Sequence, residues 1–153
     1  MNLNQGNNPT ALSNIDILEC VKNLNLSKFR GVYMRDTLPN KSRINECGIM
    51  NLNTSHQDGS HWTAWYKNGM TRIYFDSFGQ ITPIELQKYL KTSEEFETDK
   101  NVIQRNTDIV QPIGTSICGH LCLFVLNALS KGCSFQQVLN QLNGYSQDNR
   151  IIT

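Results

Sequence analysis

The sequence predicts an α+β fold built around a central hairpin. Two segments rich in aromatic and β-branched residues are joined by an Asn-Gly pair near the middle of the chain, which indicates paired strands. Apolar residues with helical spacing lie on both sides of this hairpin, and strands and helices do not alternate regularly. At 153 residues the chain can bury a core as one domain. We therefore predict a single domain over residues 12–153, preceded by a disordered segment over residues 1–11.

The first predicted element is a helix over "SNIDILECVKNLNL". Ser13 is a suitable N-cap, and Ile15, Leu18 and then Val21 or Lys22 follow at helical spacing. We expect Cys20 near the buried side of this helix. The next two apolar segments, "FRGVYMRDTLPNK" and "ECGIMNLN", are short and indicate extended strands.

The hairpin extends over residues 61–79, "HWTAWYKNGMTRIYFDSFG". The Asn68-Gly69 pair favours a type I′ turn, because both residue types tolerate the positive φ that this turn requires. With the turn centred there, position 61 pairs with position 76 on the returning strand. We therefore expect His61 and Asp76 to be neighbours on one face of the hairpin.

A helix and a strand are predicted next. In "TPIELQKYLKT", Thr82 is the expected N-cap and Pro83 the first helical residue. The segment "NVIQRNTDIVQP" then predicts a strand that ends at Pro112, because proline cannot donate to a strand ladder.

Two helices complete the chain. The first begins at Cys118 and ends at Gly132, a residue type favoured directly after helices. Ser134 and Gln137 form a capping-box pair for the last helix, which we expect to end at Gly144.

Charge and cysteine content limit the classes of partner. The chain has 14 Lys and Arg residues against 13 Asp and Glu residues, a net charge of +1, so nucleic acid is not a predicted partner. An odd number of cysteines, five, and an N-terminus without a secretion signal indicate reduced thiols in an intracellular compartment. No apolar run reaches the roughly 18 residues of a membrane span, so we predict no membrane association.

A cysteine lies where a loop becomes a helix. In "QPIGTSICGHLCLFVLNAL", residues 111–129, a loop containing proline and glycine precedes an apolar helix that begins at Cys118. The free N–H groups and the dipole at a helix N-terminus stabilise a thiolate relative to the thiol. Cys118 is therefore a candidate nucleophile, provided that a base lies near it in space.

Three histidines are available as that base. His120 lies two residues beyond Cys118 and hence on a different face of the helix, and His56 lies in a polar loop where we expect it to be exposed. His61 remains, with Asp76 placed to hold its imidazole in one tautomer. Taken alone, this pair is equally consistent with a surface ion pair, but together with Cys118 it forms a set of nucleophile, base and acid.

Acyl transfer also requires hydrogen-bond donors for a developing oxyanion. The backbone N–H groups of Cys118 and Gly119 are candidates, and Gln111 offers a side-chain amide. Taken alone, Gln111 is more consistent with an ordinary polar loop residue.

A metal site formed by Cys118, His120 and Cys122 is the main alternative use of this segment. The histidine lies off the face that the two cysteines share, and no fourth ligand follows with zinc-like spacing. We therefore predict no metal site and expect Cys122 to be a core thiol.

The ordered set of "HW" at 61–62, "YFDSFG" at 74–79, Gln111 and "CGHLCLFVL" at 118–126 closely resembles a known family. The family is that of adenovirus-type (adenain-like) maturation cysteine proteases and their relatives in Polinton/Maverick virus-like elements, within the superfamily of SUMO-deconjugating cysteine proteases. The resemblance covers about residues 29–129. It implies a papain-like/adenain-like fold, in which a central, mostly antiparallel sheet packs on a helix led by the nucleophilic cysteine.

The resemblance also implies the roles of four residues. In that family the cysteine attacks, the histidine is the general base, the acidic residue orients the histidine and the glutamine contributes to the oxyanion hole. These roles fall on Cys118, His61, Asp76 and Gln111.

The implied function is a cysteine endopeptidase that cleaves viral or virus-like structural precursor proteins after small residues such as glycine. Trp62 and Gly119 are the implied substrate-binding residues, since an aromatic ring beside the base leaves room only for small side chains. Two alternatives stay open: a deconjugating protease for a ubiquitin-like modifier, and a non-catalytic peptide-binding module with the same fold.

The resemblance also bears on cofactors, partners and location. Adenovirus-type proteases are stimulated by a viral peptide and by DNA, so the resemblance leaves an activating peptide or DNA open. A net charge of +1 does not support a DNA cofactor, and we predict no cofactor. We expect a monomer that acts on protein or peptide substrates. The expected location is the nucleus or cytoplasm of a host cell, or the virion, and not the secretory route.

Overall fold

A computed structural model describes residues 10–57, 61–92, 102–112 and 114–152. The predicted disordered segment, residues 1–11, lies almost entirely outside these ranges. The elements in chain order are α1 (Asn14–Leu24), β1 (Phe29–Met34), β2 (Asn45–Asn51), β3 (Trp62–Asn68), β4 (Thr71–Phe75), α2 (Ile84–Leu90), β5 (Ile103–Arg105), α3 (Cys118–Ser130) and α4 (Phe135–Ile152).

The described strands form one five-stranded sheet in the order β1-β2-β3-β4-β5. The central strands β2, β3 and β4 pair antiparallel, as predicted, whereas the edge strands β1 and β5 each pair parallel to their neighbour. The α+β class predicted from the sequence is confirmed.

Helices cover both faces of the sheet. One face packs on a large core shared with α1, α3 and α4, which includes Ile17, Ile49, Ala64, Ile73, Phe75, Leu121, Val125 and Val138. The other face packs on α2 through a smaller cluster of Met50, Trp65, Tyr74, Leu86, Tyr89 and Leu90. Strand residues therefore alternate between two buried faces, and α3, which is apolar around most of its circumference, is enclosed by the larger core.

Helix α1 begins as predicted, but of the apolar residues noted at helical spacing only Val21 is buried. Ser13 is the N-cap and exchanges hydrogen bonds with Asp16 in a capping box. Ile17 and Val21 are buried, whereas Ile15 is 71 % exposed and Leu18 is 47 % exposed. The apolar spacing was ambiguous because two sets of residues fit a helical period, and packing against the core selected the set one turn apart at positions 17 and 21.

The predicted turn of the hairpin is wrong by one residue. Asn68 pairs with Thr71, so the two turn residues are Gly69 and Met70. Gly69 has φ of +60° and Met70 does not have positive φ, which excludes type I′ and fits type II′. Asn68 remains in the strand because it also pairs with Asn45 of β2.

This turn moves the strand register by two residues. Ala64 pairs with Phe75 in the last pair of the β3–β4 ladder, so the predicted pairing of position 61 with position 76 is wrong. A shift of two residues leaves every side chain on its original face, whereas a shift of one would have exchanged the faces. His61 directly precedes β3 and Asp76 directly follows β4, and their side chains are still neighbours, with Nε2 of His61 2.6 Å from Oδ1 of Asp76.

Three boundaries in the second half differ from the predictions. Pro83, not Thr82, is the N-cap of α2, and it has no side-chain capping bond. Strand β5 ends at Arg105, well before Pro112. Helix α4 continues through Gly144, although its predicted start is confirmed by the reciprocal bonds of Ser134 and Gln137.

Candidate active site

Cys118 is the first residue of the buried helix α3 and is only 8 % exposed. Its N-cap, Ile117, provides no side-chain capping bond, so the N-cap side chain does not compete for the first N–H groups of the helix. The sulfur is hydrogen-bonded to the side chain of His61 and to the backbone of Trp62 and Gly119. The fold thus surrounds the thiol with groups that stabilise negative charge.

His61 lies between Cys118 and Asp76. Its Nε2 is 2.6 Å from Oδ1 of Asp76, and its side chain is also hydrogen-bonded to Cys118. A carboxylate only accepts hydrogen bonds, so Nε2 donates to Asp76 and Nδ1 is left for the thiol. Phe78 stacks on the imidazole with a centroid distance of 4.7 Å and covers one of its faces.

Asp76 is fully buried and held from several directions. Its carboxylate accepts from the backbone N–H of Phe78 at 2.9 Å and of Gln80 at 3.3 Å, in addition to His61. Asn106 donates to the backbone carbonyl of Asp76 at 2.6 Å and accepts from its N–H at 3.1 Å. The carboxylate is therefore fixed in place before any substrate binds.

A glycine shapes the loop that carries this carboxylate. Gly79 has φ of +68° and donates to the carbonyl of Asp76 at 2.8 Å, which closes the turn after β4. A Cβ atom at this position would lie 2.5 Å from the carbonyl oxygen of Thr107. Glycine is required here both by its backbone conformation and by the closeness of the neighbouring chain.

The charges around His61 shift its pKa upward. Burial alone would lower the pKa of this imidazole, but hydrogen bonds and charge attraction from Asp76 and Cys118 raise it to about 9. His61 therefore carries a proton at neutral pH when both partners are present.

The pKa of Cys118 moves in the opposite direction. Burial raises it, but the hydrogen bond with His61, the backbone hydrogen bonds and the attraction of the imidazolium together lower it below the usual range for a thiol. A histidine with a raised pKa in contact with a cysteine with a lowered pKa forms a thiolate–imidazolium pair.

Gln111 is held between two segments of the site. It is 3 % exposed; its Oε1 accepts from the hydroxyl of Ser77 at 2.6 Å, and its Nε2 donates to the carbonyl of Thr115 at 2.7 Å. Ser77 directly follows Asp76, and Thr115 lies in the loop that leads to Cys118. Two bonds leave one amide hydrogen of Gln111 uncommitted.

Trp62 and Gly119 lie against each other beside the thiol. A Cβ atom on Gly119 would be 3.2 Å from Cδ1 of Trp62 and 3.3 Å from Cβ of Leu12, so there is little room for a side chain at position 119. The indole Nε1 donates to the carbonyl of Leu12 at 2.8 Å, which fixes the ring. A groove with a cavity volume of about 400 Å³ begins at Trp62 and is bordered by Leu12 and Tyr33.

The other titratable candidates lie apart from this arrangement. Cys122 is fully buried, with its pKa raised by burial, and its thiol donates to the carbonyl of Trp62 at 3.4 Å, in agreement with a core position. His56 is exposed, as predicted. The Nδ1 atom of His120 has no hydrogen-bond partner among the described residues, and burial lowers the pKa of this imidazole.

Two further features concern metals and membranes. Within the described ranges, no group of three or more His, Cys, Asp or Glu residues is arranged to hold a metal ion. No helix in the same part of the chain is both long enough and apolar enough to cross a membrane.

Sequence reasoning missed several residues that complete the site: Ser77, Phe78, Asn106 and Leu12. Ser77 and Phe78 lie in the "DSFG" segment next to Asp76, which was the available signal for them. Asn106 and Leu12 reach the site across separations of 30 and 50 residues, and no local pattern indicates such contacts.

No protein-family model and no curated protein matches this sequence. Among solved structures, the ASFV pS273R protease is similar, with a TM-score of 0.56 and 15 % sequence identity, covering 93 % of this chain and 68 % of that one. The chain has the fold of the ASFV pS273R protease. A selenomethionine structure of that protease gives a TM-score of 0.43 with 18 % identity, covering 69 % of this chain and 44 % of the other. The first comparison confirms the cysteine protease fold predicted from the sequence.

Proposed function

We propose that this chain is a cysteine endopeptidase in which Cys118 is the nucleophile, His61 the general base and Asp76 the residue that orients the base. Its proposed substrates are structural precursor proteins of a virus or virus-like element, cleaved after small residues such as glycine. The fold shared with the ASFV pS273R protease supports the class of enzyme, and the motif resemblance to adenovirus-type maturation proteases supports the substrate class.

One observation carries the proposal: His61 lies 2.6 Å from Asp76 and also interacts with Cys118, and this second interaction raises the pKa of His61 and lowers the pKa of Cys118. The three groups come from the loop before β3, the loop after β4 and the start of α3. An ordinary surface ion pair would need neither full burial of the carboxylate nor a thiol of lowered pKa at the other ring nitrogen. A residue set with these properties is the arrangement that thiol acylation requires.

Acylation follows from this geometry. The Cys118 thiolate attacks the carbonyl carbon of the scissile peptide bond, and the carbonyl oxygen becomes an oxyanion. The backbone N–H groups at the start of α3 and the uncommitted amide hydrogen of Gln111 are the proposed donors to this oxyanion. Collapse of the intermediate breaks the C–N bond, and the leaving amine takes the proton from the His61 imidazolium.

Deacylation returns the enzyme to its starting state. The neutral imidazole of His61 removes a proton from water as the water attacks the thioester, and a second oxyanion forms at the same donors. Its collapse releases the carboxylic acid and the Cys118 thiolate beside a protonated His61. Asp76 keeps Nε2 protonated throughout, so Nδ1 is the nitrogen that exchanges the proton.

The crowding beside Cys118 supports a preference for small residues. The indole of Trp62 is held by its bond to Leu12 and lies against Gly119, the residue that follows Cys118, so this ring limits the space beside the nucleophile. A glycine in the substrate has no side chain to meet this ring.

We expect Trp62→Ala to weaken discrimination between substrates with glycine and with alanine at the cleaved position. Steric exclusion of one methyl group in a tight pocket is worth about 10-fold or more in kcat/KM, and most of that ratio should be lost. The measurement is the kcat/KM ratio for paired peptides. Tyr66→Ala is the matched control, because Tyr66 is a half-buried aromatic on the same strand that borders a different cavity. An unchanged ratio in Trp62→Ala would show that another feature excludes the methyl group.

The proposed nucleophile is tested by chemical labelling. Peptide aldehyde and vinyl sulfone probes that end in glycine should react once per chain, with the vinyl sulfone adduct located at Cys118 by peptide mass mapping. Cys133→Ala, which removes a partly exposed thiol, should be labelled like the wild type, and Cys118→Ala should not be labelled. Adducts spread over several cysteines would instead favour a non-catalytic peptide-binding module.

A further inference from the structure

The side chain of Gln111 has its two polar atoms bound by groups of different kinds. The carbonyl of Thr115 is only an acceptor, so the NH₂ group of Gln111 must face it, at 2.7 Å. The amide oxygen therefore faces Ser77, whose hydroxyl must act as the donor, at 2.6 Å. The orientation of the amide follows from its partners, and reversing it would place two acceptors opposite each other.

The hydroxyl of Ser77 is not needed to join the two loops. The backbone already joins them, since the N–H of Val110 donates to the carbonyl of Ser77 at 2.9 Å. Asn106 adds two further bonds to the backbone of Asp76 in the same loop. The specific contribution of the Ser77 side chain is therefore its bond to the amide oxygen of Gln111.

Both residues of this bond are buried. Ser77 is fully buried and Gln111 is 3 % exposed, so water has little access to replace the hydroxyl. Without it, the amide oxygen would lose its donor in a buried environment, at a cost that favours rotation of the side chain away from its present position. The uncommitted N–H of Gln111 would then lose its fixed direction.

We propose that Ser77 is a positioning residue that holds the side-chain amide of Gln111 as an oxyanion donor, an inference that rests on the proposed cysteine protease function. Ser77 touches neither the substrate nor the thiol in this role. It acts by keeping one N–H of Gln111 fixed before the oxyanion forms, because a donor that needs no reorganisation stabilises the transition state most.

The test compares two reactions of the same thiol. Hydrolysis of a peptide substrate forms an oxyanion, whereas alkylation by iodoacetamide does not: the thiolate attacks the CH₂ carbon, a C–S bond forms and iodide leaves. Ser77→Ala should lower kcat for hydrolysis about 10-fold with KM nearly unchanged, and should leave the alkylation rate of Cys118 within about twofold of wild type.

A double-mutant cycle identifies the residue through which Ser77 acts. Gln111→Ala should lower kcat by about 10²-fold, and Ser77→Ala combined with Gln111→Ala should lower it no further. Ser42→Ala is the matched control, because Ser42 is also a buried serine with a bonded hydroxyl, but its partners are Lys67 and Thr92. This control should retain wild-type kcat.

Three results would overturn the inference. They are wild-type kcat in Ser77→Ala, a parallel fall of hydrolysis and alkylation that indicates general disruption, and additive losses in the double mutant. If Ser77→Ala does not fold, Ser77→Cys, which keeps the shape with a weaker donor, should show an intermediate kcat, and wild-type kcat would again overturn it. If the wild-type protein itself neither hydrolyses peptides nor reacts selectively at Cys118, the proposed function fails, and that outcome is distinct from a failure of Ser77 alone.

Discussion

Peptide hydrolysis is expected to disappear in Cys118→Ala and to fall by roughly 10⁴-fold or more in His61→Ala. The first change removes the atom that forms the acyl-enzyme. The second removes both the cation that stabilises the thiolate and the acid that protonates the leaving amine. Initial rates on a peptide cleaved after glycine give the measurement, with Cys133→Ala as the control for loss of a thiol outside the site.

The pH dependence provides an independent test of the same pair. The thiolate exists above the lowered pKa of Cys118, and the imidazolium exists below the raised pKa of His61, about 9. The rate at which iodoacetamide alkylates the wild-type protein should therefore begin to rise at a pH below the usual pKa range of a thiol. The value of kcat/KM should fall as the pH passes about 9, where His61 loses its proton.

Replacement of His61 should shift the pKa of Cys118 in a definite direction. Burial raises the pKa of Cys118, and the hydrogen bond and positive charge of His61 lower it. Because His61→Ala removes both of these lowering effects, the pKa of Cys118 should rise. The alkylation profile should move to higher pH. A profile that does not move would show that His61 and Cys118 are not coupled, and the endopeptidase proposal would fail with it.

Asp76→Asn is expected to lower kcat by roughly 10³- to 10⁴-fold while leaving the protein folded. Asparagine has nearly the same shape but only one oxygen, so it can accept from the N–H of Phe78 at the Oδ1 position or from the N–H of Gln80 at the Oδ2 position, but not from both. If its NH₂ group faces His61, however, Nε2 must become an acceptor and Nδ1 must carry the proton. A neutral imidazole that carries its proton on Nδ1 cannot accept a proton from the thiol at that nitrogen, so His61 is held in the wrong tautomer.

The control for this variant is Asp36→Asn. Asp36 is an exposed carboxylate bonded to Ser55, and its loss should leave kcat unchanged. A thermal melt of each variant separates a fall in kcat from a loss of folded protein. If Asp76→Asn retains kcat within about 10-fold of wild type, Asp76 does not set the tautomer of His61.

The elements that sequence reasoning predicted well are those controlled by neighbours along the chain. The capping boxes at Ser13 and Ser134 each join residues three apart, and the start of α3 at Cys118 follows from a loop that changes into an apolar run. The hairpin was predicted for the same reason, although its turn lies at Gly69 and Met70.

The predictions of the hairpin turn and of the buried residues of α1 were wrong where contacts with another element determined the structure. Pairing with β2 kept Asn68 in its strand and moved the turn, and core packing selected the buried face of α1. His61 and Asp76 are neighbours although the register differs from the prediction, because they lie at adjacent ends of the paired strands β3 and β4.

The sequence by itself determined the local pieces of the candidate site: a thiol at a helix N-terminus, a histidine at the mouth of a hairpin and a carboxylate at the end of the returning strand. These depend on capping, turn formation and strand alternation, which act over a few residues. Only the tertiary structure decided that His61 contacts Cys118, and that Ser77 donates to Gln111 across 34 residues. Contacts of this kind form when the sheet and α3 bury their apolar faces together, and no short stretch of sequence encodes that packing.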